Sequence, residues 1–196
     1  MRNQFLKALA GCALALFALA SLAGAQAPPP AIPAGTPVSP VVEHATFVSI
    51  PLEIMVNKPA EEVWKRVGKF CDIGEWFRIP CTITAGKDGE FGAVRSVANE
   101  VLVGKTELSY TYTQPVRAGR PYNLYHGTLE ARPVTATTSK LVYTLIFYNL
   151  MLADDAAREK DIQQKTAQFN TALQNMKILA EGGTLPPAPP RAGRGN

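Results

Sequence analysis

From Asp154 and Asp155 onward the chain meets no glycine or proline until Gly182-Gly183, a run of about 27 residues that reads as one helix roughly 40 Å long. Its apolar stripe is Ile162, Phe169 and Met176 at sevenfold spacing, interleaved with Thr166, Leu173 and Ala180. A stripe of that length has to be buried on something equally long, and the preceding sequence offers a sheet. From Cys81 the apolar period falls to two, which predicts strands at 81–85, 91–98, 100–105, 108–114, 122–132 and 139–150. Turn signals such as Gly86-Lys87-Asp88-Gly89 separate them, and connections this short make the sheet antiparallel.

Upstream, Thr46 to Val56 reads as a further strand. Pro59 then stands at a natural helix start, with Glu61 and Glu62 where the helix dipole favours negative charge. Val63, Val67 and Phe70, with Trp64 beside them, form its apolar stripe, and a short second helix is expected between Phe70 and Phe77. The order is strand, two short helices, six strands, long helix. The fold class that follows is α+β, a curved antiparallel sheet wrapped around a long C-terminal helix. A bent sheet and a straight helix cannot touch along their whole lengths, so space is expected beneath the helix.

The two ends of the chain read differently. Arg2 and Lys7 precede an uncharged apolar run from Ala8 to Ala23, which closes in Ala23-Gly24-Ala25 before Gln26. That is the order of a cleavable leader spanning 1–25, and the apolar run is shorter than the roughly 20 residues of a spanning helix. Leu9-Ala10-Gly11-Cys12 offers a competing lipoprotein box that would anchor the chain at Cys12. The apolar run continues well past that cysteine, an order that favours cleavage after Ala25. Residues 26–42 form a proline-rich linker, 43–183 a single domain, and 184–196 a Pro/Gly/Arg tail. The chain has 20 basic and 16 acidic residues, but Arg2, Lys7, Arg191 and Arg194 belong to the ends, leaving 16 against 16. A neutral domain does not suit nucleic acid. Export, no stable membrane insertion and a monomer are the expectations.

Pro59-Ala60-Glu61-Glu62-Val63-Trp64-Lys65-Arg66-Val67-Gly68-Lys69-Phe70 resembles the first helix of the START-like superfamily, also called SRPBCC. Gly92-Ala93-Val94-Arg95-Ser96-Val97 resembles its third strand, and Tyr125-His126-Gly127-Thr128-Leu129-Glu130 a later one. The resemblance covers about residues 43–182 and includes polyketide cyclases and dehydratases and birch-pollen-allergen-like proteins. It implies a helix-grip fold with an apolar cavity for a lipid, polyketide or similar ligand. It implies no shared catalytic residue, and Lys105-Thr106-Glu107 stands where relatives often have a longer hairpin.

Catalytic signatures are missing: no G-x-S-x-G, H-E-x-x-H or C-x-x-C occurs, no metal constellation stands out, and no cofactor is expected. Gly104-Lys105-Thr106 mimics the end of a phosphate loop, but Asn99 replaces the glycine that motif needs, so it reads as a turn. Of the two histidines, His44 sits at the domain edge and His126 alternates onto the solvent face with Thr128 and Glu130. Glu100, Glu107 and Glu130 are potential general bases, but on strands of a small sheet the ordinary expectation is a solvated carboxylate.

The aromatic residues are more informative. Tyr110 and Tyr112 share one face of a strand, Tyr125 begins the apolar face of the next, and Tyr143 and Phe147 share that of the last. Together with Phe169 and Met176 from the long helix they form the expected ligand site, with Trp76 at its entrance and Arg95 as an anchor for an anionic head group. Such a site suits a small hydrophobic or amphipathic ligand, and a cyclase- or dehydratase-like enzyme is the alternative. Cys71 and Cys81 are the cysteines left after cleavage. In an oxidising compartment they are expected to form a disulfide.

Overall fold

The computed structural model describes residues 46–116 and 123–187. The expected leader and linker, Cys12, His44 and the tail from residue 188 lie outside the described residues.

Strand β1 (Val48–Val56) leads into helix α1 (Ala60–Val67) and the single turn of α2 (Ile73–Trp76). Strands β2 (Ile83–Ala85), β3 (Val94–Arg95), β4 (Glu100–Lys105), β5 (Ser109–Thr113), β6 (Asn123–Pro133) and β7 (Ser139–Tyr148) follow, then α3 (Asp155–Ala180). The seven strands form one antiparallel sheet in the order β1-β7-β6-β5-β4-β3-β2. The expected fold class is therefore present. The strands at 81–85 and 91–98 are shorter than the period suggested. Gly86, Gly89 and Gly92 adopt positive φ, and Ala98 (φ 51) and Asn99 (φ 54) turn the chain between β3 and β4. Residues committed to left-handed turns cannot extend a ladder.

Alternation delivers the core. Tyr110 and Tyr112 of β5, Leu129 and Ala131 of β6, and Leu141, Tyr143, Leu145 and Phe147 of β7 all point inward and are buried. Their partners on the opposite parity, His126, Thr128 and Glu130 among them, are partly exposed. On α1, Ala60, Val63 and Val67 bury one stripe, with acids in the first turn and Lys65 and Arg66 in the last. The Cys71–Cys81 disulfide closes the loop carrying α2, with Cα atoms 5.5 Å apart.

Helix α3 begins where Asp154 accepts a hydrogen bond from the Ala157 amide at 2.7 Å. It ends before Gly182, whose φ of +86° a side chain would resist. Its second half is anchored. Phe169, Ala172, Leu173, Met176 and Leu179 are buried, Lys177 donates to the Met55 carbonyl and Asn175 to that of Trp76. Its first half is less deeply buried: Ile162 and Thr166, expected in the buried stripe, are only half-buried, Ile162 still packing against the core. There a space opens between the helix and the sheet.

Candidate functional site

That space is a cleft of about 350 Å³ at one end of the sheet. Ile73, Phe77 and Ile79, from α2 and its exit, form an apolar wall with Phe169 of α3. The turn at Val97 and Ala98 edges it, and Tyr112 and Tyr125 lie on the sheet side. The other wall is polar. Glu100 opens β4, Gln114 follows β5, and Asp161, Gln164, Lys165 and Gln168 present two successive turns of α3.

Glu100 is not the solvated carboxylate expected on a small sheet. It is 2% exposed. Arg95, directly opposite on β3, is fully buried; its Nε donates to Glu100 Oε2 at 2.6 Å and its Nη2 lies 2.6 Å from the same oxygen. Arg95 Nη1 donates to the Phe70 carbonyl, and the guanidinium carbon stands 4.3 Å from the Phe70 ring centre and 4.7 Å from that of Tyr112. Gln114 Nε2 donates to the remaining Glu100 oxygen, Oε1, at 2.7 Å. Burial pushes the Glu100 carboxyl above its ordinary range, against the pull of Arg95 and Gln114. Burial likewise opposes the charge on Arg95, yet Tyr110 and Glu100 around it hold its pKa above the ordinary value.

The tyrosines are tied together. Tyr143 donates to the Tyr112 hydroxyl at 3.0 Å, and burial holds both phenols well above their ordinary pKa. Tyr112 faces Gly127 across the β5–β6 ladder, and a Cβ on Gly127 would lie 2.4 Å from the Tyr112 ring. The glycine lets the ring lie flat against the strand. On α3, Asp161 and Lys165 form an ion pair across one turn, and the Lys165 ammonium stands 4.8 Å from the Phe147 ring centre. The second carboxylate oxygen of Asp161, Oδ2, is buried without a hydrogen-bond partner among the described residues.

No family model matches the chain, and no curated protein matches its sequence. Solved structures do match its shape. A protein from Nitrosospira multiformis aligns with a TM-score of 0.55 at 22% identity, covering 67% of this chain and 94% of that one. The Zhui aromatase/cyclase from Streptomyces sp. R1128 aligns at 0.51 and 16% identity, covering 71% and 100%. A truncated norcoclaurine synthase from Thalictrum flavum aligns at 0.50 and 11% identity, covering 71% and 97%. This is the helix-grip fold.

Within the helix-grip frame the residues singled out from sequence separate into groups. Tyr112, Tyr125 and Phe169 line the cleft. Tyr143 and Phe147 lie behind them: Tyr143 packs on Phe169 with ring centres 4.7 Å apart, and Phe147 stacks on Tyr125 at 5.5 Å. Met176 is fully buried under the anchored half of α3. Trp76 is 1% exposed and packs against Phe77 and Tyr143, on the far side of Phe77 from the cleft. Arg95 sits beneath the polar wall, its charge held by Glu100. Tyr110 borders a different groove, beside Trp64.

Sequence reasoning left out Ile73, Phe77, Gln114, Asp161 and Lys165. One signal for them was legible. Gln114 continues the inward parity of Tyr110 and Tyr112 with a polar residue, and Asp161, Lys165 and Phe169 recur at helical spacing of four. A polar residue at an inward position marks a place where the core ends.

Proposed function

We propose that this chain is an exported binding protein for a small hydrophobic or amphipathic ligand held in the cleft under the first half of α3. One observation carries the reading: a single space in which an apolar wall faces a buried acceptor, Glu100, held in place by Arg95 and Gln114. Binding sites of this kind combine an apolar body with a few fixed polar groups. The ligand body would lie against Ile73, Phe77 and Phe169, with its polar end toward Glu100, Gln114 and the Tyr112 hydroxyl. Export rests on the leader expected at 1–25. The Cys71–Cys81 disulfide, a bond that oxidising compartments preserve, supports it. Among the described residues no helix is long and apolar enough to cross a membrane.

The test is native mass spectrometry of protein recovered from its own periplasm, followed by a thermal-shift panel of fatty acids, sterols and aromatic polyketides. A bound mass and a rise in melting temperature are expected, and a Gln164→Trp variant that fills the cleft should lose both. No shift with any member of the panel would reject the reading. A cyclase- or dehydratase-like enzyme is favoured by one feature, a buried carboxyl with a raised pKa lining the cleft. Conversion of a panel ligand on incubation, absent in Glu100→Gln, would establish it.

A further inference from the structure

A second concave site lies elsewhere on the molecule and shares no lining residue with the cleft. It is a groove of about 250 Å³ between the end of α1 and the β4–β5 hairpin. Its floor is apolar and aromatic: Phe70, Leu102 and Tyr110 are buried there, and the Trp64 indole leans against Tyr110 with ring centres 5.7 Å apart. Gly68 makes the arrangement possible, since a Cβ at that position would lie 2.3 Å from the indole. The short hairpin leaves the groove uncovered, because Thr106 closes it tightly onto Ser109 through both backbone and side chain. Phe70, Tyr110 and the buried Arg95 stand between this groove and Tyr112 of the cleft.

The rim is where the charge is unusual. Of the nine lysines among the described residues, five lie within 4 Å of a carboxylate. Three of the other four, Lys65, Lys69 and Lys105, line this groove. Lys105 is braced there by donating to the Gly89 carbonyl at 2.6 Å. No carboxylate lines the groove; Asp72, Asp88 and Glu107 flank it in sequence, and Asp72 accepts from the Lys69 amide while its charge also acts on the Lys69 ammonium. Three ammonium groups around an aromatic floor, in a domain whose other lysines are mostly paired, favour an anion with a flat apolar body.

We infer that the Trp64–Lys65–Lys69–Lys105 groove is a second binding site, selective for a small aromatic carboxylate or sulfonate. The inference does not depend on what occupies the cleft. The experiment titrates the full chain calorimetrically with naphthoate and with its neutral counterpart naphthalenemethanol. Naphthoate should bind about tenfold more tightly at low salt, and the preference should shrink as salt is raised. Charge reversal at two exposed positions, K65E/K69E, should abolish the preference, whereas Gln164→Trp in the cleft should leave naphthoate binding unchanged. Equal affinity of the two compounds for the native chain, or no binding of either, would overturn the inference without reference to any variant. Loss of naphthoate binding in Gln164→Trp would overturn it equally, by moving the ligand to the cleft.

Discussion

Gly127→Ala adds one methyl group at the place where the site and the core meet, so its cost can be worked out from the structure. The new Cβ would stand 2.4 Å from the Tyr112 ring and hydroxyl, well inside van der Waals contact. Tyr112 is 1% exposed and cannot swing into solvent. The ring must shift toward the cleft, which costs about 1–3 kcal/mol as overpacking. The shift also strains the 3.0 Å bond from Tyr143, worth about 1 kcal/mol. Removing a glycine from the unfolded chain returns about 0.4–1 kcal/mol, since Gly127 is not among the positions with positive φ. The net expectation is a loss of about 2 kcal/mol, or roughly 6–8 °C in Tm for a domain of this size. Urea unfolding monitored by circular dichroism measures it directly. Tyr112→Leu removes the ring atoms nearest the new methyl, so the double variant should be less destabilised than the sum of the singles by about 1 kcal/mol. A Gly127→Ala chain within about 0.5 kcal/mol of the parent, or an additive double variant, would refute the packing argument.

Three further outcomes follow from the same core. Burial raises the pKa of Tyr110, Tyr112 and Tyr143, so above pH 10 the unfolded chain releases protons that the folded chain keeps. Stability should then fall by about 1.4 kcal/mol per pH unit for each phenol, and a urea midpoint that stays flat from about pH 9 to 11 would contradict this. Glu100→Gln removes the carboxylate from a fully buried arginine and should cost about 3 kcal/mol or more, recovered in part by Arg95→Met in the same chain; an unchanged urea midpoint in the single variant would count against it. Opening Cys71–Cys81 frees a loop of about 11 residues and should cost roughly 2–3 kcal/mol on the chain-entropy model, and two thiols labelled in denatured, unreduced protein would show that the bridge does not form.

The fold was legible because its signals are local and redundant. The parity of Tyr110 and Tyr112, of Tyr125 through Ala131, and of Leu141 through Phe147 each set an inward face without reference to the other strands. The helix was marked by its length and by the glycines that end it. The cleft was less legible, because its position depends on where helix and sheet part, and that is set by curvature and by the anchors at Asn175 and Lys177. Glu100 illustrates the limit. On its strand alone it reads as a surface carboxylate, and only the β3–β4 pairing puts Arg95 opposite it and makes burial affordable. Trp76 fails in the other direction: its place on a short helix suggested an entrance, whereas the disulfide-closed loop folds it inward.

The division of α3 into a deeply buried half and a half that borders the cleft also bears on stability and recognition. Phe169 is the last buried residue toward the cleft, touching Tyr143 on one side and Phe77 on the other. Beyond it, Asp161, Gln164, Lys165 and Gln168 face the cleft, and none of them is part of the apolar core. Substitutions at the exposed Gln164 and Gln168 therefore act on what the cleft accepts at little cost to folding, whereas Asp161 and Lys165 form a largely buried ion pair whose loss costs stability too, and the buried Ala172, Leu173, Met176 and Leu179 act chiefly on stability. The sheet side is not divided in this way. Tyr112 belongs to both sets, packed against Gly127, bonded to Tyr143 and lining the cleft. It is through this ring that a change in the core can be felt at the site.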